Sequence, residues 1–184
     1  FGALNQQGVV PLSDFKRFTT TLSGEMQISE KFSTAGSFTY VKSGGTRMQQ
    51  GSNLSGLMLN ILRTPISFDN SNGSDDPTDP SAYILDDGSQ RNYRGGIGYD
   101  NPYWSINQNP FQDDVNRMYG YGEVSYSPWA WLKLTERLGI DFYSDRRNQI
   151  FAINSRAVPD GQIYERDYFY RQVNNDLLGT ATKQ

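Results

Sequence analysis

The sequence predicts an all-β fold, a segment of about five to six antiparallel strands from a large transmembrane β-barrel with long extracellular loops. Three observations predict it. First, two arms, about 115–126 and 131–145, flank a Ser127-Pro128-Trp129-Ala130 turn and alternate apolar and polar residues throughout. Strands of water-soluble domains usually run about 5–6 residues, whereas a tilted strand needs about 9–11 to cross a bilayer. Second, the connections sort by length. The tight turns at 29–31 and 127–130 fall on one side of an up-and-down sheet, and the long connections at 5–14, 43–114 and 148–162 fall on the other, the asymmetry of outer-membrane barrels. Third, Phe32, Tyr126, Trp129 and Trp131 gather at the short-turn end, where a membrane-interface girdle of aromatic rings is expected.

Composition narrows the chemistry. The 184 residues carry a net charge of −3, which gives no electrostatic footprint for nucleic acid. There is no Cys and no His, which removes disulfides, thiolate and imidazole metal ligands and Ser-His-Asp triads. No apolar run approaches the ~20 residues of a spanning helix. A polar overall average does not argue against a barrel, because a polar face and an apolar face cancel in any window. The chain opens on Phe1 with no charged-then-apolar leader and stops in mid-pattern at Gln184. It is therefore expected to be an internal piece of something longer.

Taken in order, residues 1–4 read as the end of a strand. In 15–28, Phe18, Thr20, Leu22, Gly24, Met26 and Ile28 face one way. In 32–42, Phe32, Thr34, Gly36, Phe38 and Tyr40 do the same. Region 43–114 shows no sustained alternation and is expected to be a long extracellular loop. Inside it, Leu54, Leu57, Met58, Ile61 and Leu62 recur at helical spacing until Pro65, which suggests a short amphipathic helix. In the central hairpin, even-numbered Met118, Gly120, Gly122, Val124, Leu132, Leu134, Leu138, Ile140 and Phe142 should face lipid. Odd-numbered Arg117, Tyr119, Glu123, Lys133, Arg137 and Asp141, together with Glu25, should face the lumen. Glu136 breaks this rule, sitting between Leu134 and Leu138, unless a β-bulge shifts the parity. Residues 164–184 read as a final strand.

Several stretches resemble the SusC/RagA-type TonB-dependent transporters. They are Gln7-Gly8-Val9-Val10 with Phe15-Lys16-Arg17-Phe18, Gln49-Gln50-Gly51-Ser52-Asn53, and Leu62-Arg63-Thr64-Pro65-Ile66-Ser67-Phe68-Asp69. Further on come Asn101-Pro102-Tyr103-Trp104, Asn109-Pro110-Phe111, Asp114-Val115-Asn116-Arg117, Trp131-Leu132-Lys133-Leu134 and Gly139-Ile140-Asp141-Phe142-Tyr143-Ser144-Asp145. The resemblance implies a barrel of about 22 strands with a plugged lumen, of which the whole chain, 1–184, would supply one part. The plug and the remaining strands find no counterpart here. It also implies an integral protein of the Gram-negative outer membrane that imports oligosaccharides or peptides. Such a protein works with a SusD-like surface lipoprotein as lid and is driven by the TonB complex acting on the plug, without a cofactor. The alternative is a soluble or surface-attached all-β glycan-binding or adhesin module.

Candidate contacts follow. Tyr83, Tyr93, Tyr99, Tyr103 and Trp104 stud the long loop and could stack on cargo, meet the lid or anchor the loop on itself. Asp69 to Asp76 clusters oxygens, but the spacing fits a calcium loop only in part and the closing Glu is missing; a solvated turn is the better reading, and no metal is expected. Asp75-Asp76, Asp86-Asp87 and Asp113-Asp114 are sequence neighbours. Glycosidase carboxylates face each other across about 5–10 Å instead, so no catalytic residues and no enzyme are expected.

Overall fold

The computed structural model describes residues 1–51, 53–95 and 98–182. Six strands form one antiparallel sheet in sequence order: β1 (Gly2–Gln7), β2 (Asp14–Gln27), β3 (Phe32–Arg47), β4 (Phe111–Trp129), β5 (Leu132–Phe151) and β6 (Gln162–Ala181). Two short helices, α1 (Leu57–Arg63) and α2 (Pro102–Gln108), and a 3-10 turn at Pro80–Ala82 lie in the long connection. Among the described residues no helix is long and apolar enough to cross a membrane. The all-β fold expected from the alternation is the fold observed.

Several boundaries differ from expectation. β3 continues to Arg47 and β4 starts at Phe111, so the strand-free connection is 48–110 rather than 43–114. The added segment lacks apolar alternation and pairs by charge and by glycine. Lys42 Nζ lies 2.5 Å from the Asp114 carboxylate, and Arg47 Nε 2.7 Å from Asp113. β4 also runs through Pro128 to Trp129, so the turn lies at Ala130-Trp131, later than the sequence suggested. Pro128 has no N–H to give, and the pairing accordingly slips between Tyr126 and Trp129. β5 extends to Phe151, leaving 152–161 as its connection to β6. Lys183 and Gln184, at the end of the predicted last strand, and Ser52 of the family-like stretch lie outside the described residues.

The register gives each face a continuous identity, because directly opposed residues share a side of the sheet. One row reads Glu25, Ala35, Glu123, Arg137, Asp176; the adjacent row on the other side reads Met26, Thr34, Val124, Glu136, Leu177. The even-numbered set expected on one face of β4 and β5 does lie there, with Phe18, Leu22, Phe38 and Tyr40. In β6 the parity inverts, so that odd-numbered Phe169, Val173 and Leu177 join the apolar face. Pairing is unbroken from Tyr126↔Leu134 through Phe111↔Gln149, with no bulge at Glu136. Glu136 therefore stays on the apolar face, where its Oε1 accepts from Asn175 Nδ2 at 3.2 Å.

Among the described residues no second layer packs on the sheet. Among the described residues the buried apolar side chains are Leu57, Ala82, Tyr83, Trp104 and Phe151, all in the long connection or at the far end of β5. Leu22, Met26, Val124, Leu138 and Val173 are all about half exposed or more. At Gly120 of β4 an added Cβ would lie 2.2 Å from the Ser37 carbonyl oxygen of β3, whereas at Gly122 it would meet nothing within 4 Å. Gly120→Ala should therefore cost about 1–3 kcal/mol of stability, and Gly122→Ala no more than about 0.5 kcal/mol. Thermal unfolding of the purified variants checks this; equal effects would disprove the close approach.

Candidate functional site

The face opposite the apolar one carries the functional groups of the sheet. Period-2 alternation and the continuous register place all six expected polar residues, Glu25, Arg117, Glu123, Lys133, Arg137 and Asp141, on this side. Four of them pair across β4 and β5. Arg137 Nη2 donates to Glu123 Oε2 at 2.6 Å, and Arg117 Nε donates to Asp141 Oδ1 at 2.9 Å. Arg47 with Asp113 and Arg147 with Asp145 continue the ladder toward the long-loop end. Each arginine of this ladder also lies over an aromatic ring: Arg137 over Tyr121, Arg117 over Tyr119, Arg147 over Tyr168 and Arg47 over Phe15. Tyr143 and Tyr170 stack at 5.4 Å on the same side. A surface of fixed guanidinium–carboxylate pairs and tyrosines offers hydrogen bonds and ring faces to a polar solute. The tyrosines of β6 were missed by sequence reasoning, and the signal for them was the parity of Phe169, Val173 and Leu177.

The four aromatics expected at the short-turn end do come together. Phe32 stacks on Tyr126 at 4.4 Å and Trp129 on Trp131 at 5.5 Å, and all four rings are substantially exposed. The slip in pairing before Trp129 sets it opposite Leu132, and so on the apolar face despite its odd number.

At the other end, region 48–110 folds into a package held by buried amides. Asp100 is its hub. Its carboxylate accepts from Gln90 Nε2 at 2.6 Å, from the Arg156 backbone N–H at 2.7 Å and from Asn109 Nδ2 at 3.3 Å. Asn101 caps α2 by accepting from the Tyr103 N–H, while its Nδ2 donates to the carbonyls of Asn70, Ala82 and Arg91. Gln49 Nε2 donates to the Asn109 carbonyl at 2.8 Å and takes the Gln149 amide at 2.6 Å on its Oε1. The package is thus tied to the 152–161 connection as well as to the sheet. Individually these amides carry no periodic signal, which is why sequence reading did not find them.

This package corrects part of the aromatic reading. Trp104 and Tyr83 are only 4% and 3% exposed, lie edge to face at 6.3 Å and form the core of the loop with Ala82. The Trp104 indole N–H donates to Ser155 Oγ at 3.0 Å. Of the options the sequence left open, these two residues anchor the loop on itself rather than face a solute. Tyr103 packs against the same core. Tyr93 and Tyr99 remain half-buried at the surface and stack at 6.4 Å. Of the expected amphipathic helix, α1 buries Leu57 and leaves Met58, Ile61 and Leu62 outward, with Ile66 fully exposed just beyond it.

The acidic stretch folds as solvated turns. Asp69 accepts from the Ser71 and Gly73 N–H groups, and Asp76 from that of Thr78. Hydrogen bonds from Ser71 hold the Asp69 carboxyl below its ordinary value. Among the described residues no group of three or more acidic, His or Cys side chains is placed to hold a metal ion. No family model and no curated protein matches the chain.

Burial pushes the Asp100 carboxyl above its ordinary value, against the lowering effect of its donors. A raised carboxyl stabilises the fold fully below the unfolded value of about 3.9 and loses that contribution as pH climbs through the folded value. In a W129F/W131F background, Trp104 emission should shift to the red as pH rises through that window, and D100N should abolish the pH dependence. An unchanged profile in D100N would assign the effect to another group.

Proposed function

We propose that the chain is a section of wall from an outer-membrane TonB-dependent importer of the SusC type, which takes up oligosaccharides or peptides together with a SusD-like lipoprotein. One observation carries this reading: a single-layer sheet with one bare apolar face and one ion-paired polar face. On β5 the apolar positions run from Leu132 to Phe142. At about 3.3 Å per residue and a tilt of about 40°, that span is about 25 Å high, the height of a barrel's lipid-facing band. Beyond it toward the long loops the same face turns polar at Asn116, Ser144, Arg146 and Asp167. The aromatic pairs at the short-turn end bound the band on the other side.

Further support comes from the connections. 28–31 and 130–131 lie at one end of the sheet, and 8–13, 48–110 and 152–161 at the other. Short periplasmic turns and long extracellular loops have this arrangement. The outer edges of β1 and β6 carry no partner strand within the described residues, as expected of a section whose neighbours lie elsewhere in the barrel. The outward Met58, Ile61, Leu62 and Ile66 suit docking to the lid lipoprotein. In this reading the Arg–carboxylate ladder and its tyrosines line the lumen, and energy arrives through a plug supplied by the rest of the protein. A soluble glycan-binding module gains no support from any particular contact, because it would leave the apolar face in water.

The chain has no Cys, so single cysteines report without background. In the membrane-embedded protein, an environment-sensitive fluorophore at Leu138 or Ile140 should be quenched by spin-labelled lipid. At Gly139 or Asp141 it should instead be open to a water-soluble quencher. A pattern that does not alternate would sink the proposal. Leu138→Arg should cost about 2–4 kcal/mol of stability in lipid, and Glu136→Leu should be neutral or stabilising. Unfolding titrations of the reconstituted variants measure both.

A further inference from the structure

Ion pairing divides the arginines. Arg47, Arg117, Arg137, Arg146 and Arg147 each pair with a carboxylate. Within the sheet, Arg17, Arg166 and Arg171 have no carboxylate at ion-pair distance among the described residues, and Arg166 lies over the Tyr164 ring. Among the described residues, Arg63, Arg91 and Arg94 have none within ion-pair distance and lie on aromatic rings instead. Arg63 stands 4.4 Å from the centre of the Tyr99 ring, and Arg94 stands 5.6 Å from both Tyr99 and Tyr93. Arg91 lies 4.5 Å from the Phe68 ring, which itself meets Tyr93 edge-on at 6.2 Å. In a protein of net charge −3, three guanidiniums are thus gathered among aromatic rings without an ion-paired carboxylate among the described residues, although the Asp69 carboxylate interacts electrostatically with Arg91.

Two of those cations share the Tyr99 ring, so an anion bound beside that ring would be attracted by both. The rings fix the guanidinium planes and lower the entropy cost of ordering them. Arg63 and Arg91 each spend one Nη1 on a backbone carbonyl, of Asn53 and Asp69, and their remaining N–H edges have no protein acceptor among the described residues. Arg94 is exposed. The phenol hydroxyls of Tyr93 and Tyr99 likewise bond no side chain or backbone group among the described residues. Free guanidinium forks beside free phenols match a ligand that carries both a carboxylate and a dense set of hydroxyls.

We infer that Arg63, Arg94 and Tyr99, backed by Arg91, Phe68 and Tyr93, form a binding site for the carboxylate of an acidic oligosaccharide. The site deepens the importer reading, on which it rests for its extracellular placement, by assigning the cargo a uronate-like charge. Arg94 and Arg63 supply paired donors to the carboxylate, and the tyrosine hydroxyls bond the neighbouring sugar hydroxyls.

Calorimetric titration of the intact, detergent-solubilised protein with a galacturonic acid oligomer tests it. The oligomer should bind, and binding should weaken steeply with salt. R94Q, and R63Q more so in combination with it, should each weaken binding about tenfold or more, since a charged hydrogen bond is lost. R94K should retain an intermediate affinity, because it keeps the charge and loses the fork. Y99F should weaken binding without changing its salt dependence. Equal binding of the carboxyl-reduced oligomer, tighter binding of hexaglutamate, or an unaffected R63Q/R94Q double variant would each overturn the inference. Failure here with an intact alternating lipid exposure at 138–141 removes only the cargo assignment. Binding with no such alternation leaves a loop site on a protein of another class.

Discussion

A sheet one strand thick has no interior, and this constraint governs the molecule. In a sandwich the apolar halves of two sheets hide one another; here neither face meets a second layer. Each face must therefore be matched to the medium beside it, along its whole length and across all six strands. The register accomplishes this by keeping like with like. On one side the ladders bring together Glu123 with Arg137 and Arg137 with Asp176, and on the other Phe38 with Leu22, Met118 with Tyr40 and Phe142, and Ile140 with Val173. A slip of one residue in any strand would exchange its two sides. The Arg137–Glu123 and Arg117–Asp141 pairs penalise such a slip, because each partner would then face an apolar neighbour.

Most of the sheet was legible in the sequence because period-2 alternation is a strong and local signal. It placed Phe18 to Met26, Phe32 to Tyr40, and the central hairpin on their observed faces. It failed where strand formation does not depend on alternation. Ser43 to Arg47 and Phe111 to Asp114 join the sheet through ion pairs and glycine contact, which leave no periodic trace. It also missed the parity change in β6, since the offset between two strands is a property of their pairing and not of either strand alone. The Pro128 irregularity was visible as a residue, yet its effect, turning Trp129 onto the side of Leu132, follows only from the ladder.

The long connection was the least legible part, and the reason is chemical. Its order depends on buried polar side chains as well as on the small apolar core of Ala82, Tyr83 and Trp104. Gln49, Gln90, Asp100, Asn101 and Asn109 are each 3% exposed or less, and each finds its partners across long sequence separations. Asn and Gln in a Gly- and Ser-rich stretch ordinarily mark solvated loops. Trp104 illustrates the ambiguity: the sequence left it facing cargo, the lid or its own loop, and the capped start of α2 carries the indole inward. What stays outside includes Met58, Ile61, Leu62 and Ile66, and Arg94 beside the Tyr93 and Tyr99 rings.

The tie between the 48–110 package and the 152–161 connection bears on the order of assembly. Gln49 needs Gln149, Ser55 needs the Ala157 amide, and Asp100 needs the Arg156 amide. All three partners come late in the chain. Closing loops of this length before the intervening strands are paired carries an entropy cost with little return. On this cost the cap closes only after β4 and β5 are paired and residues 152–157 are in place, since none of these partners lies in β6. A chain arrested at β4 would carry a wall with an unlatched crown, its indole wet and its amides open to exchange. The crown thus marks the completion of the β4–β5 hairpin.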